Sequence, residues 1–349
     1  MNAFDTGGRA MGIGGATRAT DATTQSALDN PAGLAFVNSP TTGVIFRNLP
    51  SSTVVASGNF NNRDTTSELE VGKLALTHVG YAAPFRGGTL GVSYTVGGYA
   101  DNVTTGNNLT TGGLSARNLR EGISAKTDFF TVAYGQRRGG TNVGVGVVVA
   151  SQYVAYSQAY QLFDAGNNQV GSVNTNVSGN GIGVGLVAGI QGQVANGGST
   201  MWGASVRTPI DLTSNGSTSN VYDKIPGKFS LGVAGRIDNG GRNEFLVWAA
   251  QIDYFFGGEG GAILSRDNTI AGSAGVEYNL NWRNARIPLR LGYAFVPSGG
   301  DGFSDRNSFT IGIGYRPNGQ PYSLDLNFAK PTDGNKFDIG LGFTYRPNN

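Results

Sequence analysis

Cysteine is absent from the chain, histidine occurs once (His78), and only 14% of the 349 residues are charged, against a usual figure of about 25%. Without cysteine there is no disulfide framework, thiolate metal site or cysteine nucleophile. A single histidine rules out multi-histidine metal sites and makes His78 the one candidate base for a serine triad. Lys and Arg number 25 against 23 Asp and Glu, a net charge of +2 with no basic run, which argues against a nucleic-acid partner. Long apolar runs are missing too. Even Val143–Ala150 is broken by glycine, far short of the ~18 residues of a membrane-spanning helix. The start, Met1 to Asp5, lacks the basic and apolar regions of a signal peptide. The chain is therefore expected to be either cytosolic or a mature form numbered after signal removal.

Glycine, by contrast, is abundant: 57 residues, more than twice the usual share of about 7%. It follows no collagen-like triplet, and 39% hydrophobic residues exclude a disordered chain. One class needs neither long apolar runs nor many charges: the transmembrane β-barrel, whose strands alternate lipid-facing and lumen-facing side chains. The alternation is present. Phe337, Ile339, Leu341, Phe343 and Tyr345 interleave with Lys336, Asp338, Gly340, Gly342 and Thr344. Leu289, Leu291, Tyr293 and Phe295 interleave with Arg290, Gly292 and Ala294. A helix would scatter such residues around its whole circumference.

Connections sort by length. Tight Gly- or Asn-bearing turns such as Arg86-Gly87-Gly88, Arg138-Gly139-Gly140 and Asn318-Gly319-Gln320 alternate with longer polar loops at Ala100–Ala125, Tyr160–Val177, Ile210–Gly227, Gly257–Asp267 and Pro297–Arg306. Outer-membrane barrels sort their connections in this way. Thirteen strands can be counted back from the C-terminus to residues 72–85, and the segment 41–61, bent at Pro50, is expected to add one more crossing. The predicted architecture is an all-β, antiparallel up-and-down barrel of fourteen strands over residues 41–349, preceded by a non-alternating segment, residues 1–40.

The inward parity carries small residues and isolated charges, Arg236, Asp253, Glu277, Arg290, Asp325 and Asp338, and His78 should face the lumen as well. These groups are not neighbours in sequence, but strand pairing could bring them together. Inward glycine fits wall curvature or a plug in the lumen. Gly12-Ile13-Gly14 and Gly183-Val184-Gly185 brush against a dinucleotide fingerprint without the strand–turn–helix it requires. No cofactor, metal or catalytic residue is expected, and the chain does not read as an enzyme.

The N-terminal segment supplies a resemblance. Gly8-Arg9-Ala10-Met11-Gly12-Ile13-Gly14-Gly15-Ala16 and Asp29-Asn30-Pro31-Ala32-Gly33-Leu34 resemble the signature of an outer-membrane superfamily. It comprises the FadL long-chain fatty-acid transporters with related aromatic-hydrocarbon channels, and the PorV-type proteins of type IX secretion. The resemblance implies a monomeric barrel in the bacterial outer membrane, with Asn30, Pro31 and Ala32 at the inner end of a luminal hatch. It also implies a lateral opening at a kink in the third strand, where this chain has Gly97 and Gly98; the plainer reading is that the pair simply ends the strand before the long loop. Expected partners are outer-membrane lipid or lipopolysaccharide together with small hydrophobic or amphipathic compounds taken up passively. A PorV-like interaction protein that binds secreted cargo or a translocon is the competing reading, and a structural envelope anchor the third. A transporter should show an elongated apolar pocket. A secretion partner should show a sealed wall and an apolar patch on its loops.

Overall fold

A computed structural model describes residues 8–48, 51–59, 62–70, 74–194, 198–216, 224–239, 243–258, 267–297, 305, 307–332 and 337–347. Fourteen strands form the wall. They are β1 (Thr41–Asn48), β2 (Leu74–Phe85), β3 (Gly88–Gly106), β4 (Leu114–Arg138), β5 (Thr141–Phe163), β6 (Gln169–Gln193) and β7 (Thr200–Arg207). The ring continues through β8 (Gly227–Asn239), β9 (Glu244–Phe256), β10 (Thr269–Trp282), β11 (Ala285–Phe295), β12 (Ser308–Pro317), β13 (Tyr322–Pro331) and β14 (Asp338–Tyr345). Each pairs antiparallel with its neighbours. The barrel closes where β1 meets β14 through pairs such as Val44↔Phe343, with β2 on its other side. Closure matters because no strand edge can be left to hydrocarbon.

Residues 41–48 make the one crossing expected of the 41–61 segment. Ser51–Asn59 does not fold back beside them. It pairs antiparallel with Asn62–Glu70, and its Ser52–Ala56 runs parallel to Asn102–Gly106 of β3. Pro50 lies outside the described residues.

Two predicted loops are corrected. Ala100–Ala125 and Tyr160–Val177 are largely strand, because β3 to β6 run on well past the membrane. The 25 residues of β4 greatly exceed the roughly 9–11 that a tilted strand needs to cross. The extension lies at the long-loop end, conventionally the cell exterior, where Ala56, Leu109, Ala116 and Leu119 make a small core of their own and neither face meets lipid. Exposure in β6 alternates only between half-buried and exposed over residues 169–180. With no lipid-facing side there is no apolar stripe for a sequence pattern to show.

The outward parity forms the lipid belt, with Val145, Val147, Ile182, Val184, Leu291, Phe309 and Ile311 all exposed. On β3 and β4 this belt ends at Tyr94 and Phe130. There Lys126 and Asp128 pair at 3.0 Å, and the Tyr94 hydroxyl donates to Asp128 at 2.7 Å. Such aromatic and charged groups belong at the polar boundary of the bilayer.

The inward parity explains the glycine. Residues 8–40 occupy the lumen as two short helices, α1 (Gly8–Gly12) and α2 (Ser26–Asp29), and a 3₁₀ turn, Pro31–Phe36. Twelve wall strands each present a glycine where this segment comes closest. The series runs Gly43, Gly80, Gly91, Gly135, Gly144 and Gly189 on β1 to β6, Gly203 and Gly232 on β7 and β8, Gly275, Gly292 and Gly312 on β10 to β12, and Gly342 on β14. A Cβ at Gly144 would overlap the Pro31–Ala32 peptide, one at Gly203 the Arg18 carbonyl, and one at Gly292 the Ile13–Gly14 peptide. On β9 and β13 the corresponding positions are polar: Gln251 and Asn327. Overpacking of this kind costs roughly 1–3 kcal/mol or more per site. Gly144→Leu is therefore expected to leave a heat-resistant barrel while unseating the N-terminal segment. Limited proteolysis should then cut within residues 8–40, which are protected in the parent. An uncut segment would contradict the girdle.

Candidate functional site

Because the luminal segment has little regular structure, its backbone must find partners elsewhere. The wall provides them. Gln251 Oε1 accepts from the amides of Thr17 and Arg18, both at 3.0 Å. Thr310 Oγ1 accepts from Gly14 N and donates to Gly12 O, each at 3.1 Å. Thr89 donates to Val37 O at 2.9 Å. Asn30 is fully buried. Its Nδ2 donates to Arg18 O at 2.9 Å, and its Oδ1 caps the following turn at Ala32 N. Pro31 and Ala32 lie on the glycines of β4 and β5. The three residues of the motif thus act together, as an internal cap wedged against the wall.

Of the inward charges, Glu277, Arg290 and Asp325 meet in space. Glu277 Oε2 accepts from Arg290 Nε at 2.7 Å, Arg290 Nη1 lies 2.7 Å from Asp325, and Asn279 donates to the other Glu277 oxygen at 3.1 Å. The luminal segment contributes Arg9, whose Nε reaches the same Glu277 oxygen at 3.0 Å. Asp253 sits apart, with Lys228 at 3.2 Å and the Ser230 hydroxyl and Gln251 amide around it. Asp338 pairs with Arg47 at 2.6 Å across the barrel seam. Arg236 stands at the exposed mouth beside Asp238. The predicted luminal set is therefore one cluster, two separate pairs and a rim residue. Beneath it a cavity of about 510 Å³ opens at the short-turn end, lined among others by Arg9, Asp21, Arg236, Glu277, Arg316 and Arg346.

His78 does face the lumen, fully buried. Its Nε2 meets the hydroxyl of Thr24 in the luminal segment and its Nδ1 that of Thr95 on β3, both at 2.9 Å. This pair is also where the wall changes. The β2–β3 ladder runs from Phe85↔Gly88 to His78↔Thr95 and stops. Both strands are irregular at that height. The β1–β2 register shifts by one residue at Thr77, and the β3–β4 register shifts at Gly97. Such bulges bend and twist a strand locally. β3 stays paired with β4 through Gly98↔Thr127 and beyond, so Gly97-Gly98 does not end the strand. Among the described residues, β3 next gains a strand on its β2 side at Asn102, from the outer hairpin.

Sequence reasoning missed what lies behind this break. Phe129 is 1% exposed and its ring rests where a Cβ on Gly97 would be. With Leu28, Val148, Val187, Ile210, Leu212 and Ile225 it forms an apolar layer above the N-terminal segment. Ile210 and Ile225 come from an outer loop that folds inward, pairing Ile210↔Ile225. Side chains thus fill the space in which an elongated apolar pocket was expected. Phe129 could have been found: it is a large aromatic on a parity otherwise holding Thr127, Thr131 and Ala133.

No family profile and no curated protein matches the chain. Solved structures do. A FadL homologue of Pseudomonas aeruginosa aligns at a TM-score of 0.67 and 14% identity over 98% of both chains. The Ralstonia pickettii toluene transporter TbuX aligns at 0.63 and 13% over 99% of each. The P. putida toluene transporter TodX aligns at 0.62 and 11% over 99% of this chain and all of its own. The fold is that of a FadL-type outer-membrane barrel.

Glu277 is shared by Arg290 and Arg9, so its loss takes one of two carboxylates from buried Arg290 and the ion-pair partner from Arg9. Glu277→Gln is expected to cost about 3–5 kcal/mol in urea unfolding of the barrel in lipid vesicles. Arg9→Leu, which leaves the Glu277–Arg290 pair intact, should cost less than half as much. Equal losses would place the binding energy in the Arg9 contact instead.

Proposed function

We propose that this FadL-type barrel is a passive outer-membrane channel for small hydrophobic or amphipathic compounds, with residues 1–40 as its hatch and the break beside Gly97-Gly98 as a lateral window. The observation that carries the reading is the ladder ending at His78↔Thr95 directly in front of an apolar luminal layer. A wall in hydrocarbon keeps its backbone groups paired, so an interrupted ladder backed by Phe129 is a place to let an apolar molecule cross. Its height is consistent with that use. Thr95 pairs with Phe129, one step from the Lys126–Asp128 pair that bounds the lipid belt, so an amphipathic molecule could keep its polar end at the interface. The likeness to hydrocarbon channels points the same way. Apolar recognition with a few convergent polar groups is the usual chemistry of such sites. Passage runs down the gradient, with no energy-coupling group.

In this reading the present conformation is closed, and Phe129 is the bolt. The hatch would communicate with the window through Thr24, His78 and Thr95, since that chain of hydrogen bonds joins all three parts.

Phe129→Ala is expected to raise toluene uptake severalfold, measured as ¹⁴C-toluene accumulation in cells lacking other hydrocarbon channels, with glucose flux unchanged. If neither the parent nor the variant admits toluene or a medium-chain fatty acid above empty-vector cells, the channel reading fails. Lipid or detergent found inside the purified barrel would support it independently.

A further inference from the structure

The short-turn end of the barrel holds a second cavity, of about 530 Å³, at the corner formed by β2 to β5. It lies where the 3₁₀ turn hands the chain on to β1. Phe36 and Asn38 line it from that passage, Phe85 and Arg86 from the β2–β3 turn, and Arg137 and Asn142 from the ends of β4 and β5. Register explains the placement. On the inward face the pair Gly135↔Gly144 touches Pro31, and the next inward pair toward the turn is Arg137↔Asn142. Gln191, which pairs with Asn142 from β6, uses its amide on Ala19 O of the luminal segment. Asn142 has no such use. It is 5% exposed, and among the described residues no hydrogen bond holds its side-chain amide. A buried amide that borders a cavity in this state calls for a partner inside it.

Carboxylates are missing from this corner. Residues 30–63, 71–100, 129–163 and 165–210 contain no Asp or Glu. Arg137 Nε donates to Gly139 O at 3.3 Å, and the Arg86 guanidinium lies over the Phe85 ring at 5.2 Å. Among the described residues neither arginine has an ion-pair partner, and Arg138 adds a third positive charge to the same turns. The cavity around Arg9 is different, since Asp21, Glu277 and Asp325 stand among its arginines. Phe36 supplies an apolar side. It is 41% exposed, although Pro31 to Leu34 just before it are buried.

We infer that this cavity is a binding site for a small amphipathic carboxylate, such as an aromatic acid. Arg86 and Arg137 take the carboxylate oxygens, because planar guanidinium donors match that geometry. The Asn142 amide donates to the same group, and the apolar body of the acid rests on Phe36. The volume falls in the usual range for small-molecule sites, about 300–1,000 Å³. A bare inorganic oxyanion would use the arginines and leave Phe36 without a contact. The inference goes beyond the channel reading and does not depend on it: neither Phe129 nor the window takes part, and binding is read at equilibrium without flux.

The test uses the full-length barrel in phosphatidylcholine nanodiscs, titrated with 4-fluorobenzoate and followed by ¹⁹F NMR. Saturable binding is expected, with 4-fluorobenzyl alcohol about tenfold weaker or worse. Arg137→Gln and Arg86→Gln, on separate turns, should each weaken 4-fluorobenzoate about tenfold. Arg283→Gln, on the β10–β11 turn, should leave it as in the parent. Heat-resistant migration checks the barrel of each variant. The inference is overturned if 4-fluorobenzoate does not bind, if the alcohol binds equally, or if neither site variant weakens binding. An equal effect of Arg283→Gln also overturns it, since the rim charge as a whole would then be responsible. Displacement by an equal concentration of inorganic phosphate assigns the cavity to a free oxyanion instead. Loss of binding in phosphatidylglycerol nanodiscs, at salt high enough to screen the bilayer charge, assigns it to a lipid headgroup. Absence of toluene uptake with 4-fluorobenzoate binding retained would sink the channel reading alone.

Discussion

Everything inside this barrel follows from putting an irregular stretch of backbone where water cannot reach all of it. Main-chain amides and carbonyls that lack helix or sheet partners must be satisfied by something, here by turns and Asn30 within the segment and by side chains on the surrounding wall. Those side chains reach the backbone only if the wall comes very close. The wall comes close only where it has no Cβ. Gln251, Thr310 and Thr89 as partners and the glycines of twelve strands as spacers are two halves of one solution. The composition of the chain, rich in glycine and poor in charge, is set by this requirement on the inside and by lipid on the outside.

The same logic shows why the break beside His78 is informative. Each neighbouring pair of strands is laddered over most of the wall, and the cost of an unsatisfied amide in hydrocarbon is several kcal/mol. This chain places bulges at Thr77 and Gly97 on adjacent strands, at one height, where the β2–β3 ladder ends. It then ties the last rung to the luminal segment through its only histidine. Phe129 fills the space behind. The irregularity, the tie and the filler are contributed by three different parts of the sequence, and each would look unremarkable alone.

That separation explains what could be read from the sequence. The lipid-spanning parts of the wall were legible because lipid imposes a strict alternation: Leu289 to Phe295 and Phe337 to Tyr345 could be assigned by parity alone, as could the luminal orientation of His78. The external halves of β3 to β6 were not legible, since strands beyond the lipid need no strict alternation; a small core at Leu109, Ala116 and Leu119 suffices, and Thr, Asn and Ser serve elsewhere as well as in a loop. The charges could be assigned to the interior but not to one another. Glu277 and Arg290 lie on neighbouring strands in the correct register, yet the third member, Arg9, comes from a segment with no periodicity at all. Gly97 was noticed as a glycine pair. Its meaning depended on Phe129, which only pairing brings beside it.

The glycine girdle occupies one band of the barrel, and the lumen is not uniform on its two sides. Toward the exterior Phe129, Val148 and Val187 project inward and pack with Ile210, Leu212 and Ile225. Toward the short-turn end the lumen opens into the cavity around Arg9, Glu277 and Arg346. The two sides of the segment are thus unlike: side chains fill the exterior side, and the short-turn side is left open.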